Sequence, residues 1–213
     1  MKNTKSDQKT TQTRARILKA ATEVFAASGI VGATTREIAR VAGVNEVTLF
    51  RHFQSKEQLL AVVVQQISAL QVEALTRKDE WTGNLHVDLL HYAWLYNNML
   101  EEHEALVRMF IGEAQRHPEA ALQILREAAL PLREKLIDYL HKGIEQGNVR
   151  KDADLLVVID LFTGMLLSGM LRRTTVSVPL GYSRESYIKR CVDVIVQDIN
   201  TSTTKISHSS LTL

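Results

Sequence analysis

The stretch TTREIARVAGVNEVTLFRHF, from Thr34 to Phe53, constrains this chain most tightly, because two sets of helix start and stop signals follow one another with room only for a tight turn between them. Thr34 is an N-cap residue with Glu37 three positions on as its box partner, Ile38 and Ala39 give the first helix an inner face, and Gly43 supplies the left-handed residue that ends it. Asn45 then caps a second helix in which Val44 and Leu49 point inward. Glu46, Val47, Thr48 and Arg51 are left towards the exposed side. A short helix with one apolar stripe and one small, polar edge is suited to entering a DNA groove.

The segments on either side extend this unit. The periodicity predicts a helix from about Thr13 to Ser28, with Ile17, Ala20, Ala21, Val24 and Phe25 on one face and Gly29 as its stop. Ser55, with Gln58 three residues on, caps a long helix whose Leu59, Leu60, Val63, Ile67 and Leu70 continue the inward stripe. Beyond Gly83 the pattern stays helical, in segments of roughly 84–100, 103–115, 118–146, 153–172 and 186–200. Pro131 should kink or split the third of these. Nothing alternates for long enough to build a sheet, so the fold class is all-α. The expected division is a disordered arm over 1–12, a helix-turn-helix domain over 13–60, a larger helical domain over 61–200 and a flexible tail over 201–213.

Charge follows the same division. The whole chain carries a net charge of only +2. Residues 1–62, however, hold 10 Lys or Arg against 5 Asp or Glu, and the remainder holds 16 against 19, so the basic excess lies with the two-helix signal. The single cysteine, Cys191, sits in an apolar helical pattern, which excludes an intramolecular disulfide and fits a core residue in a reducing, cytoplasmic setting. The polar N-terminus has no apolar run behind it and reads as neither signal peptide nor anchor. The most apolar stretch, Leu155 to Leu171, contains Asp160 and is shorter than the roughly 20 residues of a membrane span, so no membrane partner is expected.

From Arg16 to Leu60 the strings ILKAATEVFAASG, TTREIARVAGV, TLFRHF and SKEQLL follow in order, and in this the chain resembles the TetR family of bacterial transcriptional repressors. The resemblance implies an all-helical homodimer whose first helices bind a palindromic operator in double-stranded DNA, while the variable remainder dimerises and binds a small molecule. It also implies DNA contacts at Thr35, Arg36, Asn45, Glu46, Val47, Thr48, Arg51, His52 and Lys56. Two positions depart from the family pattern. Phe50 stands where a tyrosine commonly reaches a phosphate, and Asn45 replaces the more usual serine while keeping the cap. Arg14 and Arg16 either contact phosphate or reach the minor groove.

The remainder carries no motif of its own. Trp94, Met99, Met109 and Phe110, with Phe162 and Met165, either fill a helical core or line an apolar effector cavity, and a largely hydrophobic effector is the expectation because no charge cluster is evident in the apolar segments. Small residues at Gly164 and Ser168 beside Leu161 would admit a partner helix, and with Ile188, Val192, Ile195, Val196 and Ile199 they are expected to form a two-fold four-helix interface. The histidines at positions 86, 91, 103 and 117 lack metal-ligand spacing, and no nucleophile and base pair can be located, so neither a metal, a cofactor nor catalysis is expected. The competing readings are an activator of the same architecture, and a ligand carrier or enzyme with an unused DNA-binding unit.

Overall fold

The computed structural model describes residues 3–76, 81–116, 118–175 and 180–201. The fold is all-α. Its helices are α1 (Asn3–Gly32), α2 (Thr35–Ala42), α3 (Glu46–His52), α4 (Lys56–Thr76), α5 (Leu85–Glu102), α6 (Glu104–Glu113), α7 (Pro118–Ile124), α8 (Leu130–Glu145), α9 (Leu155–Thr175) and α10 (Arg184–Ile199). A π-helical segment, Leu125–Ala129, separates α7 from α8. It places the split expected from Pro131 just ahead of that residue, whose missing N–H and bulky ring disturb the preceding turn. An isolated antiparallel bridge joins Val149 to Asn200, with the Arg150 N–H donating to Ile199 O at 2.8 Å.

The chain divides into two compact units, and the division is discontinuous: residues 1–72 with 101–132, and residues 73–100 with 133–213. The expected boundary at residue 60 and the division after residue 72 both lie within α4, and the difference is that α6 joins the first unit. The reason is packing. Leu106 of α6 is buried in the cluster that contains Ile17, Phe25, Ile38, Leu49, Phe53 and Leu59, and Met109 and Phe110 pack against it. Each such fully buried side chain contributes about 1.5–3 kcal/mol relative to exposure.

The expected arm over 1–12 is corrected as well, since α1 is already helical at Asn3. Once the buried Ile17–Phe25 segment has nucleated a helix, each further residue adds one hydrogen bond at little entropic cost. Thr11 and Thr13 also donate to the carbonyls of Asp7 and Lys9, at 2.9 and 2.8 Å. Helical geometry is interrupted at Gly29 (φ 73°, ψ 177°), where the sequence places the stop. Residues 202–213, most of the expected tail, lie outside the described residues.

In the second unit, α5 buries Leu89, Tyr92, Ala93, Asn97 and Leu100, and the Tyr92 ring lies 5.8 Å from Tyr96 and 5.9 Å from Phe162 of α9. At the start of α5 the carboxylate of fully buried Asp88 accepts from the Thr82 N–H and hydroxyl, the Gly83 N–H and the Tyr139 hydroxyl, all at 2.7–3.0 Å. Burial, then that hydrogen bond to Asp88, pushes the Tyr139 phenol well above its ordinary range.

Two expectations for the last helices change. Ile188, Val192, Ile195 and Ile199 are buried within their own unit and Val196 is half-buried, so this stripe of α10 belongs to the core and not to an outer face. A single apolar stripe can be satisfied once, and here it is satisfied inside the chain. Leu161, Gly164 and Ser168 of α9 do lie exposed, Leu161 at 58%. Helix α9 also runs for 21 residues and is by length and composition sufficient to cross a bilayer, contrary to the estimate from its most apolar stretch, while Val158, Ile159, Phe162, Leu166 and Met170 along it are buried.

Candidate nucleic-acid interface

The caps form as the sequence dictates. Thr34 accepts from the Glu37 N–H at 3.1 Å, and Gly43 (φ 65°, ψ 39°) closes α2 by donating to Arg40 O, followed by Val44 donating to Ala39 O. The Glu37 carboxylate does not complete the box. It takes Arg40 at 2.7 and 2.9 Å, and that hydrogen bond holds it below the usual carboxylate range. Asn45 Oδ1 accepts both the N–H and the hydroxyl of Thr48 at 2.7 Å, which fixes the first turn of α3 and the rotamer of Thr48 together. The hydroxyl of Thr35 donates a short hydrogen bond to the Glu46 carboxylate, joining the first turns of α2 and α3.

Leu49 and Phe53 anchor α3 in the core, with none and 1% of their surface exposed. The opposite edge consists of Val47, 71% exposed, with Thr48 half-buried and Arg51 exposed. Phe50 is exposed on the same helix, and His52 is half-buried with its ring 6.4 Å from Phe53. Arg36, at the start of α2, is exposed.

Three basic side chains expected to face DNA are engaged internally. Arg16 Nη2 donates to Ala42 O at 2.5 Å and to Gly43 O at 3.0 Å, so a cation from α1 sits on the carbonyl end of α2. Lys56 Nζ donates to Ile30 O and Ala33 O, at 2.8 and 3.2 Å. The Arg14 guanidinium lies 4.9 Å from the centre of the Phe53 ring. These contacts brace the unit, while Arg14, Arg16, Arg36 and Arg51 are exposed and Lys56 is half-buried.

A helix held at both ends, with its outer edge bare and exposed arginines flanking it, has the form of a helix-turn-helix reading unit. Residues 17–63 match the family model for bacterial regulatory proteins of the tetR family, and residues 80–194 match the tetracyclin repressor-like C-terminal domain. The chain belongs to the TetR family of transcriptional regulators. Among curated relatives it is similar to the HTH-type regulator YvkB of Bacillus subtilis, 30% identical over 152 residues that cover 69% of this chain and 78% of YvkB. It is also similar to UidR of Escherichia coli K12, at 28% identity over 167 residues covering 72% and 80% of the two chains. Among solved structures, a TetR-family regulator from Mesorhizobium loti superposes with a TM-score of 0.72 at 22% identity, covering 90% of this chain and 98% of that one.

The residues expected around an effector are divided between the two units. Met109 and Phe110 pack on the core of the first unit, Phe162 is buried in the second, and Trp94, Met99 and Met165 are half-buried there. Periodicity marks such residues as inward-facing but is silent on which core they enter. A cavity of 480 Å³ in the second unit is lined by other residues, among them Trp81, Lys135, Tyr139 and Lys142. The Trp81 and Tyr139 rings stack there at 4.2 Å. His86 pairs with Asp193 at 2.9 Å, and Cys191 is buried, which raises its thiol above the ordinary range.

Proposed function

We propose that this TetR-family regulator is a homodimeric repressor that binds a palindromic operator and is released from it by a small molecule with a largely apolar body. The observation that carries the reading is the outer edge of α3. Val47, Thr48 and Arg51 face outward from a helix whose ends are fixed by Asn45, Glu46 and Phe53. Val47 offers methyl groups to a thymine methyl, Thr48 a hydroxyl to base edges, and Arg36 and Arg51 charges to phosphate.

One such helix contacts too few bases for specificity, and a two-fold pair with recognition helices roughly 34–36 Å apart engages successive turns of a major groove. The exposed strip of Leu161, Gly164 and Ser168 on α9 is the proposed contact between protomers. An effector that favours another spacing removes both recognition helices from their half-sites together, and a full reversal of the population needs roughly 5.5 kcal/mol of differential affinity.

The test replaces Thr48 and Arg51 singly with alanine and measures operator affinity against salt. Thr48→Ala is expected to cost about 1–3 kcal/mol on operator DNA and little on unrelated DNA. Arg51→Ala is expected to weaken both and to lower the salt slope by about one. Unchanged operator affinity in both variants, with helicity intact, refutes the reading and favours a ligand carrier with an idle DNA-binding unit.

A further inference from the structure

The second unit contains a cleft of 480 Å³, within the range of about 300–1,000 Å³ that small-molecule sites occupy. One wall is the turn ahead of α5 with the start of that helix, which together contribute Trp81 and Leu85. The other is a single face of α8, where Lys135, then Asp138 and Tyr139, then Lys142 recur every three or four residues. The two lysines therefore stand about 10 Å apart along the helix axis.

Both walls are tied to the same group. The carboxylate of Asp88, fully buried, accepts from Thr82 and Gly83 in the turn and from the Tyr139 hydroxyl of α8. Asn84 Oδ1 caps α5 by accepting from the His86 and Val87 N–H groups, at 3.1 and 3.2 Å. The Trp81 and Tyr139 rings close the join with their stack at 4.2 Å. A buried carboxylate is costly unless its hydrogen bonds are complete, and here those bonds set the shape of the cleft before anything enters it. A site ordered in advance spares its ligand that cost. With its hydroxyl engaged by Asp88, Tyr139 offers the cleft its ring alone.

The charged residues of the lining are held by nothing comparable. Lys135, Asp138 and Lys142 are exposed and sit at spacings that readily form ion pairs within a helix, yet none of their side chains has a hydrogen bond or ion pair among the described residues. Together they leave one positive charge at the cleft, which favours an anion. A lysine ammonium is a point charge that imposes no geometry on that anion, so the lysines select charge and the rings select a flat apolar body. We infer that the cleft binds a small aromatic monoanion, with its ring beside Trp81 and Tyr139 and its charge towards the lysines. Such a site exists whether or not its occupant controls DNA binding. Helices α6 and α7 separate the two walls along the chain, so no local sequence pattern announces the cleft.

The experiment labels the tryptophan indoles with nitrogen-15 in the full-length protein and titrates with 2-naphthoate, 2-naphthalenemethanol and octanoate. The chain has two tryptophans, so loss of a signal in Trp81→Phe identifies Trp81 and leaves Trp94 as the internal control. Should Trp81→Phe fail to fold, Trp94→Phe gives the same assignment by elimination. 2-Naphthoate is expected to shift the Trp81 signal saturably, with the neutral alcohol and the ringless octanoate each binding about tenfold more weakly. Lys135→Gln combined with Lys142→Gln is expected to weaken 2-naphthoate about three- to tenfold and to leave 2-naphthalenemethanol unchanged. Asp138→Asn removes a like charge and is expected to tighten 2-naphthoate about twofold. All three positions are exposed, so the variants should keep their helicity by circular dichroism, and a merely structural role would not give opposite effects at lysine and aspartate.

A Trp81 signal unmoved by 2-naphthoate, equal affinity for the three probes, or a 2-naphthoate affinity unchanged by the double lysine variant overturns the inference. A shift of Trp94 with none at Trp81 also overturns it, since the ligand then lies elsewhere.

Discussion

Gly43→Ala tests the joint between α2 and α3 most sharply, because two independent terms are readable there. Gly43 has φ 65°, and an L-residue in that region costs about 1–2 kcal/mol. The added Cβ would also stand 2.7 Å from Arg16 Nη2, which must then leave Ala42 O and Gly43 O. Losing those charge-assisted bonds costs about 1–2 kcal/mol more, so the single variant should be about 2–4 kcal/mol less stable in urea unfolding. In an Arg16→Met background only the backbone term remains, and Gly43→Ala should cost about 1–2 kcal/mol. The double-mutant cycle therefore yields a coupling of about 1–2 kcal/mol. Strict additivity, or a single-variant cost below about 0.5 kcal/mol, refutes the account of Arg16 as a brace on the end of α2.

Three further outcomes follow from the same geometry. Phe50→Tyr returns a hydroxyl to an exposed ring on α3 and should tighten DNA binding by about 0.5–1.5 kcal/mol on operator and unrelated DNA alike, measured by fluorescence anisotropy; looser binding contradicts the expectation, implied by the family resemblance, that a tyrosine at position 50 reaches a phosphate. Burial raises the phenols of Tyr92, Tyr139 and Tyr96, the last to about 12, so the folded chain keeps protons that the unfolded chain releases above its ordinary tyrosine value of 10. Stability from these groups is complete below pH 10 and falls as pH climbs from 10 towards about 12, and Tyr96→Phe should flatten that fall in urea unfolding across the window. Leu161→Lys should leave helicity intact and convert the dimer to monomer in sedimentation, with operator affinity falling steeply; an unchanged dimer moves the contact off this face of α9.

How much was legible follows from the range of each interaction. The caps at Thr34, Gly43, Asn45 and Ser55 act over two to four residues, so the residues that make them also announce them. Arg16 and Lys56 were legible as basic residues near the unit, but their partners are carbonyls 23 to 27 residues away, which composition cannot reveal. The stripe on α10 was readable as buried; whether the covering surface lies within the chain or on another copy depends on tertiary placement. Met109 and Phe110 carry the same apolar signal as Phe162 yet enter the other unit's core, because periodicity specifies a face and not its destination. The arm over 1–12 was misjudged for a different reason: its composition is that of a solvated segment, and its helix is propagated from the buried part of α1.

The central claim is that the edge of α3 reads sequence, and selection of bound fragments from genomic DNA by the purified protein, repeated at two salt concentrations with wild type and Thr48→Ala, tests it most directly. The account predicts a recovered palindrome whose preference survives the higher salt in the wild type and blurs at the same bases in each half-site with Thr48→Ala. Patternless recovery that disappears with salt, or an identical palindrome from both proteins, contradicts it.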